Sequence, residues 1–204
     1  MKLYKRLNEA LKESNDVHAL KLTIKSEEIP EELSHFPNLE ELYLEGQCTH
    51  LFDLSCKWDK LKTLSLKFPN FKDDASPLFN LPSLRNLKLI QTPLKILRLP
   101  LGHALAPLQS LTIKECGLKF LPEEMGTLST ITEMNLSQNE LENLPYSFKE
   151  LTRLKRLNLD HNAFKVFPDQ IKMNPHLTHL SIDFNQFDED EKARIQRFFN
   201  IYPQ

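Results

Sequence analysis

Three residues toward the C-terminal end could do chemistry together: Asp160, His161 and Asp183. Carboxylate oxygens and an imidazole nitrogen are groups that divalent cations accept as ligands. The two aspartates are 23 residues apart. If that interval is one structural repeat, they stand on adjacent strands, roughly 5 Å apart. Such a set could serve a metal-dependent hydrolase. It could also be a group of solvated polar residues on an exposed sheet face. The second reading is preferred, so no metal, no cofactor and no catalytic residue is expected. His179 lies too far along its strand to complete the set, and His18, His35, His50, His103 and His176 show no ligand spacing. The chain has no C-x-x-C, H-E-x-x-H or G-x-S-x-G, and its four glycines form no phosphate-binding loop.

What would position these residues is an internal repeat. Residues 131–153 read I-T-E-M-N-L-S-Q-N-E-L-E-N-L-P-Y-S-F-K-E-L-T-R, and residues 154–176 read L-K-R-L-N-L-D-H-N-A-F-K-V-F-P-D-Q-I-K-M-N-P-H. In both, apolar residues hold positions 1, 4, 6, 11, 14 and 18, asparagine holds 9 and proline holds 15. The frame also starts at Val17, Leu39, Leu61, Leu84, Leu108 and Leu177, at successive spacings of 22, 22, 23, 24, 23, 23 and 23. Positions 4 and 6 point to one side of a short strand, because side chains alternate along it. The later apolar positions fold back over the same core. One repeat cannot bury these residues alone, but stacked repeats can. Each buried Leu or Phe contributes roughly 1.5–3 kcal/mol. Eight parallel strands are expected, spanning about 34 Å. The asparagine at position 9 sits where the chain leaves the sheet and can satisfy main-chain groups there. Losing such a partner costs about 1–3 kcal/mol.

The pattern L-x-x-L-x-L-x-x-N-x-L, with its L-P-x-x-h-x-x-L tail (h apolar), resembles the leucine-rich repeat family in its 23-residue form. The resemblance implies an α/β solenoid: a curved array of about eight repeats with a parallel sheet on the concave face. It covers Val17 to Phe187. Asn139, Asn162 and Asn185 match the family at position 9, and Thr92 and Cys116 are substitutes that the family accepts. Lys25, Gln47 and Pro69 depart from it, and repeats two to four lack the L-P pair. Irregular convex loops are expected between Gln47 and Pro82 and around Lys95 to Pro107. Similarity to the short leucine-rich repeat proteins of bacteria extends to end helices that flank the array.

The ends follow from local patterns. Leu3, Leu7, Ala10 and Leu11 form a helical stripe over Lys2 to Ser14. Asp188 and Glu191 stand at capping spacing ahead of Ile195, Phe198 and Phe199. One domain is expected over 1–204, with a cap helix over 1–16, repeats over 17–187 and a second cap over 188–204. With both ends covered, a complete small protein is expected.

Composition narrows the partners. Twenty-six Lys+Arg against 28 Asp+Glu leave a net charge of −2. That balance argues against nucleic acid and against an anionic membrane surface. No apolar run is long enough to span a bilayer. Met1 to Ser14 carries charges throughout and lacks the apolar core of a secretory signal, so a cytoplasmic monomer is expected. Three cysteines have no paired spacing. Cys116 and Cys56 are expected in the core, and Cys48 in an exposed turn.

The residues expected to carry function form the row facing the concavity. A basic and apolar patch gathers Tyr43, Lys67, Phe68, Lys88, Ile90 and Lys114, with Glu45 beside it. Asn135 and Asn158 lead on to an acidic side with Glu133, Asp160 and Asp183. Aromatic anchors rimmed by charge are what protein hot spots use. The family resemblance implies a non-catalytic scaffold binding a protein partner through this face. Alternatives are a bacterial effector acting on host proteins and the hydrolase that Asp160, His161 and Asp183 would serve.

Overall fold

The computed structural model describes residues 2–51, 58–94, 96–100, 105–199 and 203–204. Among the described residues, nine parallel strands form one sheet in which spatial order equals chain order. They are β1 (Leu3–Tyr4), β2 (Ala19–Ile24), β3 (Glu41–Gly46), β4 (Thr63–Lys67), β5 (Asn86–Ile90), β6 (Ser110–Lys114), β7 (Glu133–Asn135), β8 (Arg156–Asn158) and β9 (His179–Ser181). Strands β2 to β9 lie where the leucine pairs predict them. Register is set by those pairs: Leu20 faces Leu42, Leu42 faces Leu64, and the column runs on through Leu87, Leu111, Met134 and Leu157 to Leu180. A one-residue slip would expose the column to water. The result is a leucine-rich repeat solenoid.

Short 3₁₀ turns carry the chain back on the convex side at Glu31–His35, Ser76–Asn80, Glu123–Thr127, Tyr146–Glu150 and Asp169–Met173. Leu33, Leu78, Met125, Phe148 and Ile171 project from these turns into the core. One hydrophobic cluster runs without a break from Tyr4 to Ile195.

The position-9 residues work as a ladder. The Asn139 amide donates to the carbonyls of Ile113 and Leu136, at 2.7 and 2.9 Å, and its oxygen accepts from the N–H of Cys116 at 3.1 Å. On the next two rungs Asn162 and Asn185 donate in the same way, and their oxygens accept from the N–H groups of Leu141 and Phe164, as that of Asn139 also does from Leu118. Cys116 donates its thiol to the carbonyls of Leu89 and Lys114, and Thr92 donates its hydroxyl to that of Ile90.

Position 8 governs the exit from the sheet. Gln91, Glu115, Gln138, His161 and Phe184 have positive φ, between 49° and 58°, as does Gly46 at 137°. A Cβ on Gly46 would lie 1.9 Å from the carbonyl oxygen of Ile24. Phe68, also at position 8, is not in this group. It precedes Pro69, and the residue before proline is pushed to extended backbone. Its ring is fully buried. The expectation that Phe68 is a surface anchor is therefore wrong.

Three other expectations are corrected. The N-terminal stretch is not one helix: β1 pairs with β2, and a single helical turn, α1 (Leu7–Ala10), leads into a 3₁₀ segment over Leu11–Asp16. Covering the edge of β2 with main-chain partners outweighs the helical stripe. Cys48 is buried, with its thiol donating to the His50 carbonyl. At the other end, α2 (Glu189–Phe199) buries Ile195 and packs Phe199 against Phe167, but Phe198 is exposed under the ammonium of Lys172. Asp188 caps α2 by accepting from the N–H of Glu191 at 2.8 Å. The Glu191 carboxylate does not reach back to close the box. It accepts instead from the N–H of Phe167 and pairs with Arg194. Cys56, Lys95 and His103 lie outside the described residues.

Candidate functional site

The concave face is built by alternation. Residues at positions 3, 5 and 7 point away from the core whenever 4 and 6 point into it. On β3 to β6 this brings Tyr43, Glu45, Lys67, Lys88, Ile90 and Lys114 together. Tyr43 faces Ser65, Ser65 faces Lys88, Glu45 faces Lys67 and Ile90 faces Lys114. Tyr43 and Ile90 are half-buried, while Lys67 and Lys88 are exposed. Tyr43 donates its hydroxyl to the Glu41 carboxylate at 3.1 Å, and burial, with that neighbour, raises its pKa. Lys114 lies 3.8 Å from Glu115. Neither Lys67 nor Lys88 has an ion-pair partner among the described residues.

From Lys88 the face continues as a trough of about 810 Å³ along β5 to β9. Thr112, Asn135, Asn158 and Ser181 run along its floor, with Glu133, Arg156 and His179 on one side. Those three are exposed neighbours on successive strands. Arg156 and His179 place basic groups beside Glu133 on this side. Asn135 and Asn158 use their side-chain oxygens locally, accepting from the N–H groups of Ser137 and Asp160.

Asp160 and Asp183 lie beyond the strand ends rather than in the trough. The Asp160 carboxylate accepts from the Ser181 hydroxyl at 2.7 Å and from the Asp183 N–H at 2.8 Å. Asp183 accepts from the N–H of Gln204 at 3.0 Å. His161 turns away and stacks on Phe184, ring centroids 4.4 Å apart and 12° from parallel. The three residues are brought close together on neighbouring repeats, yet their functional groups do not converge. No group of three His, Cys, Asp or Glu side chains suited to a metal occurs among the described residues.

One residue of interest gave no signal as a site in the sequence. Asn174 closes the last 3₁₀ turn and lines the same trough at its C-terminal end. The residue is 6% exposed, and neither atom of its side-chain amide has a hydrogen-bond partner. Asparagine just after a turn is too common to mark it from sequence. No described helix is long and apolar enough to cross a membrane.

Comparison with known proteins agrees with this architecture. The family model described as leucine rich repeat matches residues 106–164 and 131–187. No curated protein matches the chain. Among solved structures, a leucine-rich repeat protein of Leptospira interrogans is 21% identical with a TM-score of 0.65, over 97% of this chain and 68% of that one. TLR13 in complex with ssRNA13 is 23% identical with a TM-score of 0.70, over 85% of this chain. The plant peptide hormone receptor RGFR1 in complex with RGF2 is 20% identical with a TM-score of 0.59, again over 85%. The chain spans only 26% and 28% of those two receptor chains. With the repeat motif matched over residues 106–187, a ladder at position 9 and a shared solenoid, this chain has the leucine-rich repeat fold.

Proposed function

We propose that the chain is a non-catalytic scaffold that binds a protein partner across its concave sheet. The observation that carries this reading is the exposed Lys67 and Lys88 beside half-buried Tyr43 and Ile90, with Lys88 at the mouth of the trough. Lysines without ion-pair partners beside apolar surface favour a partner with acidic groups around an apolar residue. Glu45 and Lys114 flank this contact, and Asn135 and Asn158 extend it. The complex of RGFR1 with RGF2 is a precedent on the same fold for a peptide ligand. The complex of TLR13 with ssRNA13 is one for RNA. The net charge of −2 favours protein. Buried free thiols at Cys48 and Cys116 suit a reducing, cytoplasmic setting, and the scaffold is taken to act as a monomer.

The test is capture of partners from native lysate by wild type and by the Tyr43→Ala, Lys67→Glu, Lys88→Glu triple variant, with melting temperatures matched beforehand. Loss of a protein by the folded variant supports the reading. Equal capture by both, or capture that disappears on nuclease treatment, removes it.

A further inference from the structure

The two ends of the sheet are finished differently. At the first, β1 supplies main-chain partners to β2 and Tyr4 covers the core. At the last, β9 has a strand on one side only among the described residues. Gln204 bonds to Asp183 and Phe184, just beyond β9, and leaves His179–Ser181 without a second strand among the described residues.

The packing records the same asymmetry. In the first seven repeats every residue at positions 1 and 4 is within 2% of full burial. In the eighth, Leu177 and Leu180 are only partly buried. Both line the end of the trough with Phe199, and Asn174, a residue only 6% exposed, lines it too, with a buried and unpartnered side-chain amide. An unpaired buried amide costs stability, and native structures hold few of them. A side-chain amide offers one carbonyl acceptor and N–H donors, the complement of a peptide group. Inside this fold, Asn139, Asn162 and Asn185 use the same groups to bind main-chain N–H and C=O. The unused amide of Asn174 therefore selects a peptide main chain, and the leucines beside it select an apolar side chain.

We propose that the end of the solenoid at β9 is a receptor for an extended peptide segment of the protein partner. One Leu-sized or aromatic side chain lodges against Leu177, Leu180 and Phe199, and the adjacent peptide group pairs with Asn174. This rests on the reading of the concave trough as a protein-binding face, since the receptor is where that trough ends.

The test uses the full chain and two probes, acetyl-Gly-Leu-Gly-amide and acetyl-Gly-Gly-Gly-amide. The side-chain NH₂ resonances of Asn174 are followed in ¹⁵N-labelled protein. The expected result is a saturable shift with the leucine probe and an affinity about tenfold or more above the glycine probe, the ratio for burying one Leu side chain. Asn174→Leu, followed at main-chain amides, should weaken both probes alike, because it removes the partner of the peptide group, and should raise the melting temperature, because it removes an unsatisfied buried group without emptying the site. Leu177→Lys is the second variant and should lose the leucine probe while staying folded. The proposal is overturned by no saturable shift at Asn174, by equal response to both probes, or by an Asn174→Leu variant that melts lower. It is also overturned if the free chain runs as a dimer in which Leu177 is protected. If the probes fail while the Tyr43, Lys67, Lys88 variant still loses a captured protein, the end receptor falls and the concave reading stands. If the probes bind and capture is unchanged, the concave reading falls instead.

Discussion

The side chain of Asn139 reaches back one repeat to Cys116, its oxygen accepting the Cys116 N–H at 3.1 Å while its nitrogen donates to Ile113 and Leu136. Each rung thus closes main-chain groups of two turns at once. Asn139→Ala leaves those groups buried and unpaired, at a cost of about 1–3 kcal/mol. For a chain of this length the melting temperature should fall by about 5 °C. The same change at solvent-exposed Asn143 should move it by less than about 1 °C. Thermal unfolding of both variants checks the contrast.

Burial raises the Cys116 thiol to about 11 from its ordinary value of 9. The unfolded chain therefore releases this proton at a lower pH than the folded chain does. The stabilisation is complete below pH 9 and is lost as pH rises toward 11. About 3 kcal/mol is at stake. Melting curves between pH 8 and 11 should show an alkaline decline for wild type that is shallower in Cys116→Ser, whose hydroxyl does not titrate there. Equal slopes would remove the thiol as the cause. Cys48, also raised by burial, acts in the same direction and remains in both proteins.

Phe68 and Phe184 share position 8 and should behave oppositely. Phe68→Ala empties a fully buried site and should cost about 3–5 kcal/mol. Phe184 is 54% exposed, and Phe184→Ala should cost less than about 1 kcal/mol, the loss of its stack on His161. Chemical denaturation of the two variants decides it.

That pair also shows what the sequence could and could not say. Strands, register and the asparagine ladder were legible, because a 23-residue period over-determines them. The burial of Phe68 was legible too: Pro69 disfavours the left-handed exit that position 8 uses in repeats four to eight. The N-terminal strand was not legible, since Leu3, Leu7 and Leu11 fit a helix and only the bare edge of β2 decides otherwise. Nor was Asn174, whose distinction is an absence of partners that only packing reveals.

Asp160 gives the sharpest test of the chemistry suggested at the outset. Its carboxylate already accepts from the Ser181 hydroxyl and the Asp183 N–H. Those bonds tie β8 to the last repeat, so Asp160→Ala should lower stability by about 1–2 kcal/mol through loss of the Asp183 main-chain partner. Asp160→Asn keeps an acceptor oxygen and should recover about half of that loss. A metal role predicts the reverse sensitivity, since an amide is a far poorer cation ligand than a carboxylate. Millimolar Mg²⁺, Mn²⁺ or Zn²⁺ should leave the wild-type melting temperature unchanged. A metal-induced rise of several degrees that vanishes in Asp160→Asn would mean that Asp160 gives up its bonds to Ser181 and Asp183 to bind the ion. His161 would then also have to leave its stack on Phe184.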